Sequence, residues 1–147
     1  MAVSVEEMQA LVGHEFPGGT FTIEPWENIL LCDVMQVDPL PDGIAHPAYL
    51  FHAPLLGVGM PLAAMFALFH AESDEAVRAG GYHWELRQPL RVGTTYRMTG
   101  RVAGVERKES KKLGWTDVTS YRIDLHDDAT GELAATTLTT WLVLRSE

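Results

Sequence analysis

The stretch from Met60 to Ala71 constrains this chain more than any other. Apart from Pro61 and His70 it is wholly apolar. Pro61 suits the first position of a helix. Leu62, Met65, Phe66, Leu68 and Phe69 then surround the axis, with alanines filling the gaps. A helix that is apolar on nearly every side must be buried, so residues 60–71 are expected to form a central helix.

The material to bury it is β. In residues 82–88, Tyr82, Trp84 and Leu86 alternate with His83, Glu85 and Arg87. Residues 94–105 turn Tyr96, Met98 and Val102 inward, and residues 118–126 place Tyr121, Ile123 and Leu125 on one face. Residues 127–131 read as a hairpin turn and 133–144 as the last long strand. Upstream, 29–37 reads as a strand, 21–23 as a short extended piece, and Asp38-Pro-Leu-Pro-Asp42 as a loop that its prolines keep out of helix and central strand. Residues 5–12 form a short amphipathic helix, opened by a Ser4/Glu7 capping box and ended at Gly13. Residues 73–79 continue the long helix or form a second short one. A sheet face needs an apolar cover, and the one strongly hydrophobic helix supplies it. The expectation is a single α+β domain over residues 1–147, a long antiparallel sheet wrapped around a central buried helix.

Charge narrows the partners. The net charge is −9, which argues against nucleic acid. All eleven Lys and Arg lie from Arg78 onward, whereas residues 1–77 carry eleven acids and no base. An anionic ligand is therefore expected on the second half. Cys32 is the only cysteine, so no intrachain disulfide forms and a reducing cytoplasm fits. The N-terminus lacks the pattern of a signal peptide and residues 53–69 are too short and broken to span a bilayer, so no membrane partner is expected. The histidines lack metal-ligand spacing, so no metal is expected.

This layout resembles the hotdog fold over residues 29–144. Glu85-Leu-Arg-Gln-Pro-Leu-Arg-Val-Gly93 is similar to the Arg-x-Pro-x-x-x-Gly-Asp entry to the long strands of MaoC-like and FabZ-like dehydratases and hydratases, with Thr94 where Asp is usual. The ending from Gly131-Glu-Leu-Ala-Ala135 through Trp141 to Arg145 is similar to the Gly-Glu-Leu-Val-Ala … Arg close of MaoC-like domains. The dehydratase string Asp-x-Asn-Pro-x-His is absent. Near it stand Asp38-Pro-Leu-Pro-Asp42-Gly-Ile-Ala-His46-Pro47 and Phe51-His52-Ala53-Pro54, the latter like the His-Phe-Pro of FabZ-type enzymes but without an acid on the helix that follows. Residues 38–50 also look like the Asp-Pro-x-Gly-Ile … Tyr-Leu loop of 4-hydroxybenzoyl-CoA-type thioesterases. The resemblance implies an enzyme that hydrates or dehydrates an acyl thioester of coenzyme A or a carrier protein, without a cofactor. A hotdog thioesterase is one alternative. A non-catalytic subunit that binds acyl thioesters or completes a partner's site is another. It further implies a homodimer or larger assembly, or a hetero-oligomer, with the site at a subunit interface.

Hydration of an enoyl thioester needs a base that holds water and donors for the enolate-like oxygen. Asp42, His46 and His52 are the candidate bases; Asp42 and His46 bracket Gly43 and could meet across the loop. Gly57, Val58, Gly59 and Met60 are placed by sequence to form a helix N-terminus whose free N–H groups receive the thioester oxygen, with glycine allowing close approach. Arg87, Arg91 and the basic hairpin 107–112, Lys111 and Lys112 above all, are the candidates for phosphate contacts. His70 sits where a cation suits a helix C-terminus, and His14, His83 and His126 read as structural or exposed.

Overall fold

The computed structural model describes residues 3–146. Helix α1 (Val5–Gln9) opens on the expected capping box: the Glu7 N–H donates to Ser4 Oγ at 3.1 Å, and the Ser4 N–H donates to Glu7 Oε2 at 2.8 Å. Strand β1 (Gly19–Thr22) follows, then helices α2 (Pro25–Val34), α3 (Tyr49–Gly57) and α4 (Leu62–Leu68), a single 3₁₀ turn (Asp74–Ala76), and strands β2 (Val77–Leu86), β3 (Thr95–Ser110), β4 (Gly114–Asp127) and β5 (Leu133–Leu144). All five strands form one antiparallel sheet of order β1-β3-β4-β5-β2.

The alternation of β3 and β4 is realised residue for residue, whereas in β2 the apolar set Tyr82, Trp84 and Leu86 is exposed. Tyr96, Met98, Val102, Tyr121, Ile123 and Leu125 are all buried. They face a chain of aromatic contacts in which Tyr121 packs on Trp141 (ring centroids 4.9 Å apart) and Trp141 receives Phe66 and Phe69 at 5.2 and 5.9 Å. The hairpin turn at 127–131 closes with the Gly131 N–H donating to the Asp127 carbonyl at 2.7 Å.

Several elements differ from the sequence reading; residues 73–79, expected to be helical, form only the 3₁₀ turn before β2 takes over at Val77. Residues 29–37 are not a strand: Pro25 starts α2, which runs through them to Val34. The misreading has a physical cause. Leu31 and Cys32 face the protein, whereas Ile29, Leu30 and Val34 are exposed, so both sides of the helix are apolar and no 3.6-residue stripe appears. The expected helix over 60–71 is shorter, α4 alone, and is preceded by a helix that was not expected, α3, set at 77° to it. Gly59, at φ +85°, makes the break. Its backbone lies so close to Gly18 that a Cβ would overlap the Gly18 carbonyl. Burial also divides differently. Tyr49, Leu50, Ala53, Pro54 and Gly57 of α3 are buried, while α4 buries Met65 and leaves Leu62, Ala63 and Ala67 exposed.

A buried ion cluster locks the helices to the sheet. Asp117 on β4, fully buried, accepts from Arg107 Nε and Arg145 Nε, each at 2.7 Å. Arg145 also donates to the carbonyls of Phe69 (2.7 Å) and His70 (2.5 Å) at the end of α4. It thereby caps carbonyls that the helix leaves unpaired. Burial pushes the Asp117 carboxyl toward its neutral form, but the hydrogen bonds from Arg107 and Arg145 outweigh it and hold the group below its ordinary range.

Candidate functional site

Helix α3 separates two apolar recesses. On its sheet side, Leu50 and Phe51 of α3, Leu62 and Phe66 of α4, and Tyr82 and Trp141 of the sheet line a cleft of about 200 Å³. This cleft contains no carboxylate and no imidazole; its polar groups come from Tyr82, Tyr121 and Thr139. One wall, Val77, Ala79 and Tyr82, belongs to β2, the free edge of the sheet, along which Tyr82, Trp84 and Leu86 are 47, 39 and 44% exposed. That edge leaves an unpaired row of backbone groups beside large apolar side chains, an arrangement that calls for a partner.

The other face of α3 looks at α2. Tyr49, His52 and Leu56 recur at helical spacing and, with Glu27, Leu30 and Val34 of α2, line a groove of about 420 Å³. Tyr49 is buried, and its hydroxyl has no hydrogen-bond partner. Burial, with smaller contributions from Glu27 and Cys32, raises it to about 12, so it stays protonated and remains a donor. A larger cleft of about 600 Å³ lies on the outer face of the sheet beside residues 15–20; its Arg122 is paired with Asp124 at 3.1 Å.

The residues singled out in the sequence fall in three places. Asp42 and His46 lie on the loop before α3. The Asp42 carbonyl accepts from Arg91 Nη1 at 3.4 Å, and Ile44 bridges to Arg91, so this loop, Arg91 and Arg87 share one end of the molecule. No hydrogen bond joins Asp42 to His46. Instead the buried Asn28 side chain accepts the His46 backbone N–H at 3.0 Å, and His46 Nδ1 accepts the Ala48 N–H at 3.0 Å. A neutral His46 ring is thereby fixed with its proton on Nε2, as a donor rather than a base. His52 faces the α2–α3 groove, with its ring packed edge-on to Phe51 at 5.1 Å.

Gly57 ends α3, and Gly59 lies in the break. Their missing side chains are taken up by packing, Gly57 against the Met98 side chain and Gly59 against Gly18. The first turn of α4 begins after Pro61, so its free amides belong to Leu62 and Ala63 rather than to residues 57–60. Met60 is half-buried. Lys111 and Lys112 occupy the β3–β4 turn, at the opposite end of the sheet from Arg91. In the same hairpin, Arg107 is committed to Asp117. Glu27 and Asn28 were missed by the sequence reading, and Tyr49 entered it only as part of the thioesterase-like loop string; it is tied to them through α3, whose residues 49, 52 and 56 share one face. Their signal is the 49/52/56 spacing, which has meaning only once α3 is known to be a helix facing another helix.

No family model matches the chain, and no curated protein matches it. Solved structures do. In the HadBC (3R-hydroxyacyl-ACP dehydratase) complex of Mycobacterium tuberculosis, a chain matches with TM-score 0.66 at 13% identity, covering 90% of this chain and 96% of that one. In the ChsH1-ChsH2 complex of the same organism the values are 0.70, 15%, 97% and 90%. For the R-hydratase PhaJ1 of Pseudomonas aeruginosa they are 0.56, 14%, 92% and 83%. The chain therefore has the hotdog fold, an α+β architecture shared with MaoC-like dehydratases and hydratases. Among the described residues, no single helix is long and apolar enough to cross a membrane, and no cluster of His, Cys, Asp and Glu is arranged to hold a metal ion.

Proposed function

We propose that this chain is a subunit of an acyl-thioester hydratase or dehydratase, binding the acyl chain of a coenzyme A or carrier-protein thioester in the cleft between α3–α4 and the sheet, while a paired hotdog subunit supplies the acid and base. The observation that carries the reading is the character of that cleft. It is apolar, it lacks any residue able to abstract a proton at neutral pH, and one of its walls is the unpaired β2 edge. A second subunit added along β2 would complete the sheet, cover Tyr82, Trp84 and Leu86, and bring its own groups to the cleft mouth. The structural likeness to chains of the HadBC and ChsH1-ChsH2 complexes, each named for two different components, supports a hetero-oligomer over a homodimer.

In such an assembly the partner's base would hold the water that attacks the β-carbon, while amide and side-chain donors stabilise the developing oxyanion. The buried Cys32 thiol fits a reducing compartment such as the cytoplasm.

The test is turnover with and without a partner. The purified chain, given crotonyl-CoA and longer enoyl-CoAs, is expected to bind them without hydrating them or releasing free thiol. Adding the partner hotdog chain should restore hydration, and His46→Ala and His52→Ala should lower the restored rate by less than about tenfold. If the chain alone turns over, and either substitution costs on the order of a hundredfold, the acid–base chemistry is its own. Release of thiol by the chain alone would instead mark a thioesterase.

A further inference from the structure

From the α2–α3 groove we infer a second ligand site, independent of the thioester cleft, that takes a neutral amphipathic molecule: an apolar body carrying one hydroxyl or carbonyl oxygen for the Tyr49 hydroxyl. Three observations converge on it. The first is shape. The groove of about 420 Å³ falls within the range of small-molecule pockets, and Leu30, Val34 and Leu56, which line it, are 55, 67 and 81% exposed in the order Leu30, Leu56, Val34. Contiguous apolar surface of this kind is uncommon on a protein without an occupant for it.

The second is the unpartnered hydroxyl. Tyr49 is 3% exposed, lines the groove, and has no hydrogen-bond partner. A buried donor without an acceptor is costly, and such exceptions call for an explanation. A ligand oxygen that reaches it as the overlying side chains part removes the cost. Ligand entry and hydrogen bonding then occur together.

The third is charge. Every residue of the groove comes from the part of the chain that has no Lys or Arg, and Glu27 stands beside Tyr49. His52, its ring packed on Phe51, is the one basic side chain in the lining, and with no Lys or Arg there an anion would meet the Glu27 carboxylate in otherwise apolar surroundings. A fatty-acid carboxylate and the phosphate end of coenzyme A are thus disfavoured, and a neutral alcohol, ketone or ester is preferred. The site lies across α3 from the thioester cleft, so the two can be blocked separately.

The experiment measures binding of 1-decanol and of decanoate at pH 8 to the whole chain by titration calorimetry. It compares the parent with Leu30→Arg, Tyr49→Phe and Leu62→Ser, each checked for an unchanged circular-dichroism melt. Leu30→Arg is expected to abolish decanol binding, and Tyr49→Phe to weaken it about fivefold. Leu62→Ser, which alters only the sheet-side cleft, should leave it unchanged, and decanoate should bind at least tenfold more weakly than decanol. Absence of decanol binding overturns the site. Loss on Leu62→Ser but not on Leu30→Arg places the probe in the thioester cleft and also overturns it, while supporting the acyl-binding reading. Equal binding of decanoate overturns the ligand class.

Discussion

The two halves of the chain are held in different ways. From Val77 onward the protein is a sheet in register over long strands, with its inward residues buried and its one buried acid neutralised by two arginines. Before Val77 it is a set of short helices with a large exposed apolar surface, in which Trp26, Val34 and Leu56 are 62, 81 and 67% exposed, and no Lys or Arg balances the acids. The comparison teaches where specificity resides. The sheet half fixes the fold and is complete within one chain except along its free β2 edge, where Tyr82, Trp84 and Leu86 stay exposed. The helical half carries the whole of the α2–α3 groove, one wall of the sheet-side cleft and the unsatisfied Tyr49 hydroxyl, and is shaped to be completed by something else.

The largest expected effect tests the claim that the sheet half anchors the fold. Asp117→Asn leaves Arg107 and Arg145 buried or half-buried without their counter-charge. Breaking a buried pair by removing one partner costs about 3–5 kcal/mol, so thermal unfolding should show a steep fall in Tm. The pH dependence has a definite sign. Because the folded Asp117 carboxyl titrates below its ordinary value, its stabilisation is fully present above the unfolded-state value of about 3.9 and is lost as pH falls through the folded one. Acid unfolding of the parent should therefore be steep below about pH 4 and shallower in the variant. A variant that melts like the parent would leave the helices anchored by other means.

A smaller effect sharpens the boundary between the halves. Gly59 and Gly43 both have positive φ, +85° and +70°, but a Cβ at Gly59 would strike Gly18, whereas at Gly43 it would meet nothing. Gly43→Ala carries only the left-handed backbone cost of about 1–2 kcal/mol. Gly59→Ala adds an overlap between two backbones, and overpacking of that kind costs a further 1–3 kcal/mol. Urea denaturation of both variants separates the terms. Equal losses would mean that the join between β1 and the α3–α4 break is looser than its geometry implies.

The same division explains how much could be read in the sequence. The sheet half was legible where a strand is covered on one face only, as in β3 and most of β4, which writes a period of two directly into the residues; β2 is open on both faces and β5 is buried on both over residues 134–137. Tyr96, Met98, Tyr121, Ile123 and Leu125 lie where the alternation placed them. The capping box at Ser4 and the turn at Asp127 were legible because they are local. In the helical half, α2 is apolar on two sides, so its period was obscured and it passed for a strand. Residues 49–57 are apolar around most of the axis and were not read as a helix, and the break between them and α4 depends on Gly59 meeting Gly18, a contact between residues far apart in sequence. The pairing of Tyr49 with Glu27 went unnoticed for the same reason, since their proximity exists only once α2 and α3 are packed together.

The smallest expected effect concerns the cations of the sheet half, among which the sequence offered Arg87, Arg91 or the 107–112 hairpin of either subunit as phosphate contacts. The fold separates them. Arg91 donates its backbone N–H to the hydroxyl of Tyr96, at the start of β3, and Lys111 and Lys112 follow the end of that strand at Ser110. At about 3.3 Å per residue, β3 keeps the two groups on the order of 45 Å apart, so one ligand cannot engage both within a subunit. Arg87 and Arg91 share an end with Asp42 and His46, whereas the lysines stand on an exposed turn, where a single contact is weak and screened by salt. We expect Arg87→Glu with Arg91→Glu to weaken binding of a coenzyme A thioester about fivefold in low salt, and Lys111→Glu with Lys112→Glu to change it less than twofold. Neither pair should alter binding of the corresponding N-acetylcysteamine thioester, which has no phosphate. If the lysine pair instead weakens only the coenzyme A ligand, the phosphates reach the hairpin of a neighbouring subunit, and the sheet half too is completed by its partner.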